Sequence, residues 1–197
     1  MKLVVACVVV AIPALAAAEV RSEFQLGVNG GMMKVGEATL PYGGYNLAIG
    51  PSFGRFVVAA EYMLVAFSGD NELSGYGHRL GITTRFEALR LDVGEERVTV
   101  FAVAAVSRAW NRWTERDFGP DEPVKRTTRS AGIERRAGLG FLLQSAHAGF
   151  GFDATAAVMP LDPSVETCPL YSCKRAVTAA PASTRAIVGR MFWTYAW

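Results

Sequence analysis

After the first eighteen residues, apolar side chains alternate with small or polar ones along nearly the whole sequence, and helical spacing is hard to find. A period of two is the signature of strands with one face in an apolar medium. Near the start, Phe24, Leu26, Val28 and Met32 share a face with Gly30, while Gln25, Gly27, Asn29 and Gly31 occupy the other. Farther on, Leu80, Ile82, Thr84 and Phe86 oppose Arg79, Gly81, Thr83, Arg85 and Glu87. Ile133, Ala137, Leu139, Phe141 and Leu143 oppose Glu134, Arg136, Gly138, Gly140 and Gln144, and Ala148, Phe150, Phe152, Ala154 and Val158 oppose His147, Gly149, Gly151, Asp153 and Thr155.

Eight strands are expected, at about 22–33, 43–53, 55–67, 77–90, 97–112, 131–144, 147–159 and 185–197. Pro41, Pro120, Pro123, Pro160, Pro163, Pro169 and Pro181 fall between them or at their ends, as residues without an N–H should. The connections alternate in length. Residues 34–42, 68–76, 113–130 and 160–184 are long and polar or Pro-rich, whereas Gly54, 91–96 and Ser145-Ala146 are short links. Long loops on one side and short turns on the other, with an even strand count, are the pattern of bacterial outer-membrane barrels. The fold class predicted is all-β, an eight-stranded antiparallel up-and-down transmembrane β-barrel following a cleaved signal peptide.

That leader is read from Met1-Lys2-Leu3, a positive start, from the apolar run Val4 to Leu15, and from Ala16-Ala17-Ala18, an A-x-A cleavage site before Glu19. The run is shorter than the roughly 20 residues a membrane helix needs. Domains are therefore assigned as 1–18, signal peptide, and 19–197, barrel. Two cysteines remain, Cys168 and Cys173, and in an oxidising compartment they are expected to form a local disulfide in a loop. At 51% hydrophobic and 19% charged, with a net charge of +2, the chain has ample apolar surface and no demand for nucleic acid.

On the charged face, which is also the Gly-rich face and hence the crowded interior, lie Glu61, Arg79, Arg85, Glu87, Arg108, Glu134, Arg136, Asp153 and Arg190. An eight-stranded barrel is only wide enough inside for side chains, so these are expected to pair across a largely plugged lumen. Arg108 belongs to this set only if Phe101 faces outward, a register that strand 97–112, apolar on both faces, does not fix. Arg135 is expected to face lipid, where its cost falls from about 2–4 kcal/mol at the midplane to near zero at the interface.

Aromatics at strand ends, Tyr45, Tyr62, Trp110, Trp113, Trp193, Tyr195 and Trp197, fit interfacial girdles. At the terminus Met191, Trp193, Tyr195 and Trp197 alternate with Arg190, Phe192, Thr194 and Ala196. This ending resembles the terminal assembly signal of outer-membrane barrels, and the whole mature chain resembles the small barrels of the outer membrane protein A and X type. The resemblance implies outer-membrane localisation, a polar and mostly closed interior, loops facing the medium, and recognition of Met191, Trp193, Tyr195 and Trp197 by the barrel-assembly machinery. No periplasmic domain is expected after Trp197, and the Cys pair has no counterpart in the family.

Neither histidine has a Ser two residues on. His78 and His147 begin strands at opposite ends, so a nucleophile and base within reach are not expected, although Ser74 and Asp70 lie near His78. The sequence therefore predicts a non-enzymatic, monomeric outer-membrane barrel with a structural or surface-interaction role. No cofactor, metal or catalytic residue is expected. Its partners are outer-membrane lipid, the assembly machinery and an extracellular partner through 113–130 and 160–184. Alternatives are a narrow pore, an outer-membrane lipid A hydrolase, and a soluble lipocalin-like binder with apolar residues inside.

Overall fold

In the computed structural model, residues 20–35, 38–69, 74–118, 123–168, 174–177 and 182–197 are described. The leader with its cleavage site after Ala18, and Cys173, lie outside them. Nine strands are present among the described residues: β1 (Val20–Val35), β2 (Ala38–Phe53), β3 (Phe56–Ser68), β4 (Ser74–Val93), β5 (Glu96–Phe118), β6 (Pro123–Ser145), β7 (Ala148–Cys168), β8 (Lys174–Val177) and β9 (Ala182–Ala196). Sequential strands pair antiparallel from β1 to β7, β7 pairs with β9, and β9 closes on β1. The four-residue β8 only adds to the far end of β7, so the barrel itself has eight strands.

Pairing can be followed once round the wall: Phe24 to Ile49, Ala60, Ile82, Val106, Arg135, Val158, Arg185 and finally Lys34. The path leaves β1 at residue 24 and returns at residue 34, a stagger of 34 − 24 = 10 residues. Such stagger tilts the strands to about 35–45° and closes every edge.

Short turns at Gly54-Arg55, Gly94-Glu95 and Ala146-His147 gather at the end where β1 begins and β9 stops. Tight hairpins need a positive φ at the first turn position, which Gly54 (59°) and Gly94 (66°) supply without strain. The opposite end differs from expectation. Strand continues through the described parts of 34–42, 113–130 and 160–184: β1 and β2 run to Val35 and from Ala38, β5 and β6 run to Phe118 and from Pro123, 23 residues each, and β7 runs to Cys168. About 9–11 residues suffice to cross a bilayer, so these hairpins carry the wall well beyond it.

Pro41, Pro51, Pro123, Pro160 and Pro163 consequently lie within strands. At Pro51 and Pro160 the sheet opens locally, whereas Pro41 and Pro163 keep their register with Met32 and Ser130. Pairing of β2 with β3 lapses between Ile49↔Ala60 and Ser52↔Val57, beside Pro51, and that of β6 with β7 between Ala131↔Asp162 and Arg135↔Val158, beside Pro160. A proline removes one N–H, which costs a ladder bond without ending the strand.

Outward positions are apolar: Leu26, Val28, Ile49, Leu80, Ile82, Leu139, Ile187 and Trp193 are all exposed. No soluble protein exposes a continuous apolar band of this kind, and it is the surface a bilayer covers. Inward, glycine lets the tightly coiled strands approach. A Cβ on Gly44 would stand 1.9 Å from the carbonyl oxygen of Leu64, and one on Gly138 would stand 2.0 Å from that of Ala154. At outward Gly30 the first contact would be 3.5 Å away. Gly44→Ala should therefore destabilise the barrel by about 2–4 kcal/mol and Gly30→Ala by under about 0.5 kcal/mol, measured by urea unfolding of the reconstituted protein.

Candidate functional site

The inward face carries two clusters of charge. In the middle of the barrel, Glu61 on β3 accepts hydrogen bonds from Arg136 on β6 and Arg190 on β9. Arg190 also forks onto Asp153, its direct partner on β7, at 2.9 Å from Nε and 2.6 Å from Nη2. Arg136 lies 3.8 Å from Glu134, which accepts from Arg79 at 3.2 Å. The result is an alternating chain, Arg79, Glu134, Arg136, Glu61, Arg190, Asp153, drawn from β4, β6, β3, β9 and β7. It runs across the bore, and its charges cancel.

Toward the short-turn end, Arg85 donates to both carboxylate oxygens of Glu23 at 2.8 and 2.7 Å, and Glu87 bridges Arg85 to Arg90. A bulge makes this possible. Between Glu87 and Leu89 the β4–β5 register shifts by one residue, so Leu89, Leu91 and Val93 turn to the exterior while Arg90 swings to the mouth. Arg90 there also donates to the carbonyl of Gly54. The mouth itself is an open, polar cavity of about 560 Å³.

Apolar side chains cluster in the bore beside these charges. Phe101, Val103, Leu142 and Phe192 lie between the two charge clusters, and Met33, Leu40, Met63, Val65 and Phe67 close the outer half. The aromatic rings have room because the wall opposite is glycine. A Cβ on Gly140 would meet Phe101 at 2.5 Å, and one on Gly151 would meet Phe192 at 2.5 Å. Cavities left between these layers measure only about 20 and 10 Å³, room for about one water each. The side-chain amides of Asn29 and Asn46 are buried without a protein hydrogen-bond partner.

Of the nine lumen charges read from sequence, eight lie inside: Glu61, Arg79, Arg85, Glu87, Glu134, Arg136, Asp153 and Arg190. Arg108 does not. Phe101 is 1% exposed and faces inward, so the parity of β5 runs opposite to expectation and Arg108 is exposed on the outer surface. The inward face thereby takes Val103, Ala105, Ser107 and Ala109, small enough for the bore. Phe101 also gains the Arg85 guanidinium 5.3 Å from its ring centre. Glu23 was missed by sequence, although it shares parity with the inward Gln25 and Asn29, which was the signal available.

Among the residues outside the lumen, Met191, Trp193, Tyr195 and Trp197 all face outward on or just past β9. The expected Cys168–Cys173 bridge lies outside the described residues, as does Asp70 beside His78. His78 hydrogen bonds Tyr62 at 2.7 Å on the outer surface, with Tyr76 edge-on at 5.7 Å. His147 sits in a turn at the other end, donating to the carbonyl of Ala196 at 3.1 Å. No nucleophile and base meet among the described residues, and no cluster there could hold a metal ion.

Removing the shared acceptor takes from buried Arg136 its closest carboxylate and leaves buried Arg190 with Asp153 alone. Glu61→Ala should lower stability by about 3–5 kcal/mol, whereas Arg97→Ala, which breaks the solvent-exposed Arg97–Asp92 pair, should change it by under about 1 kcal/mol. Urea midpoints in the same lipid compare the two.

No protein-family model and no curated protein sequence matches the chain. Solved structures do. The attachment invasion locus protein Ail of Yersinia pestis superposes with a TM-score of 0.52 at 12% identity, over 91% of this chain and 99% of that one. Neisserial surface protein A aligns at 0.45 and 12% identity, over 86% and 95%, and the translocator domain of the autotransporter NalP from Neisseria meningitidis at 0.37 and 12%, over 98% and 97%. The likeness to Ail extends over nearly the whole of both chains and agrees with the closed pairing and apolar exterior described above. The chain is thus an eight-stranded antiparallel barrel of the outer-membrane type, similar in fold to Ail.

Proposed function

We propose that this protein is a non-enzymatic barrel of the bacterial outer membrane, closed through its bore, whose role is structural or one of surface interaction. The observation that carries this reading is the chain of ion pairs from Arg79 to Asp153, which crosses the lumen and leaves cavities of only about 20 and 10 Å³ around it. A path for ions needs continuous water, and side chains bonded across the bore deny it. Enzymatic action is disfavoured by the separation of His78 and His147 to opposite ends, each engaged by a neighbour other than a nucleophile.

A soluble lipocalin-like binder would carry its large apolar side chains inside and its charges outside. Here the exterior is apolar and the ion pairs are internal. Residues 1–18 serve in this reading as the export leader, and the outward face of β9, from Met191 to Trp197, as the segment the assembly machinery recognises. Interaction with a partner outside the cell falls to the ends of the β5–β6 hairpin and of β7, which rise beyond the membrane, in the regions 113–130 and 160–184. The chain supplies every strand of its own closed wall, which fits a monomer.

Planar-bilayer recording tests the closed bore. The purified protein should give no stable conductance steps, and Glu61→Ala in a folded variant should raise only transient leak. A steady ohmic conductance in the wild-type protein that disappears on changing Arg79 or Glu134 would make it a narrow pore instead.

A further inference from the structure

The outward face of the barrel is apolar except for a set of cations. Lys34 on β1, Arg108 and Arg112 on β5, Arg135 on β6 and Arg185 on β9 all point away from the lumen, are exposed, and form no hydrogen bond or ion pair within the described residues. The exposed acidic side chains described, Asp92, Glu95 and Glu96, all lie at the short-turn end, away from these cations. Inside the barrel the opposite holds, each arginine of the lumen having a carboxylate partner.

These cations are grouped. Arg135, Val158, Arg185 and Lys34 are consecutive partners in the pairing across β6, β7, β9 and β1, and Arg108 lies diagonally beside Arg135 through its partner Ile133. At about 4.8 Å per strand, Arg135 and Arg185 stand about 10 Å apart, within reach of one multiply charged headgroup. All lie toward the end of the barrel away from the short turns, where strands of a tilted barrel rise about 2.5 Å per residue. On the other side, β2 to β4, the same level carries Tyr45, Tyr62, Tyr76 and His78, and no outward cation among the described residues.

An unpaired guanidinium at the edge of a hydrocarbon layer extends its stem and seeks an anion at headgroup depth. We infer that this belt, from β5 through β9 to β1, binds the phosphate groups of a phosphorylated glycolipid of the outer leaflet, with the lipid's chains lying along the apolar strands below. Two phosphates on one sugar headgroup match cations spread over neighbouring strands, and arginine binds phosphate through paired N–H groups. The inference rests on the outer-membrane placement proposed above and not on the closed lumen.

Native mass spectrometry of the detergent-purified full protein tests it, using lipid A with two phosphates, lipid A stripped of phosphate, and phosphatidylglycerol as probes. The bisphosphorylated form should bind about tenfold more tightly than either of the others. The preference should fall to near parity in the Lys34→Gln/Arg108→Gln/Arg135→Gln/Arg185→Gln variant, with folding checked by heat-modifiable migration. Arg55→Gln/Arg97→Gln, at the short-turn end, should leave it unchanged. If the quadruple variant fails to fold, Arg108→Gln and Arg185→Gln singly should each reduce the preference. Equal binding of the phosphate-free lipid or of phosphatidylglycerol, displacement by equimolar inorganic phosphate, or a preference untouched by the substitutions would overturn the inference. A protein that never enters the heat-modifiable form would instead contradict the barrel placement.

Discussion

Glu61 is the point on which the interior turns. Its carboxylate holds Arg136 and Arg190, which come from β6 and β9 on the other side of the wall from β3, and through them it links Glu134, Arg79 and Asp153. Eight strands with a stagger of ten residues enclose a bore that side chains must fill, with almost no water to solvate them. Charges can occupy such a space only if they neutralise one another. The ion-pair chain is thus less a source of net stability than a condition for having charge there at all, because the desolvation it overcomes is large. What it confers is definition: a partner misplaced by one register step would leave a guanidinium buried alone.

The rest of the barrel follows from the same shortage of space. Glycines on the inner face let the wall coil, and where one stands opposite an aromatic ring, as Gly140 does beneath Phe101, the bore alternates small and large until it is filled. The exterior has no such constraint and is simply apolar, apart from its one-sided belt of cations. Charge inside is paired, whereas the outward charge described away from the short turns is cationic, so the two faces answer to different neighbours: the lumen to itself, and the belt to the surrounding membrane.

Much of this was legible in the sequence because β1, β4, β6, β7 and β9 have unlike faces. In β4, β6 and β7 the parity of Arg, Glu, Asp and Gly against Leu, Ile and Phe fixes which side is in. In β5 both faces are apolar, and parity alone placed Arg108 in the lumen. The deciding fact lay on another strand, in the glycine opposite Phe101, and only the register brings the two together. Strand length was misjudged for a related reason. Prolines and polar residues at 34–42, 113–130 and 160–184 resemble loop composition, yet a hairpin already paired below continues past a proline, with the ladder opened beside it at Pro160 and with the pairing kept at Pro41 and Pro163. The bulge after Glu87 moves Leu89 from the inward parity of Arg85 and Glu87 to the exterior, and in the sequence it shows only as two successive apolar residues, Ala88 and Leu89.

The claim that a mutually neutralising ion network spans and fills the bore is tested most directly by a double-mutant cycle between Glu61 and Arg190. They lie on β3 and β9, which are not adjacent in the wall, so their coupling can arise only across the lumen. Urea unfolding of the wild type, Glu61→Gln, Arg190→Gln and the double variant in one lipid should give a coupling of about 2–3 kcal/mol, the double variant being less destabilised than the sum of the singles. A coupling within about 0.5 kcal/mol of zero would mean that the two side chains do not meet, and that the lumen is not closed as described.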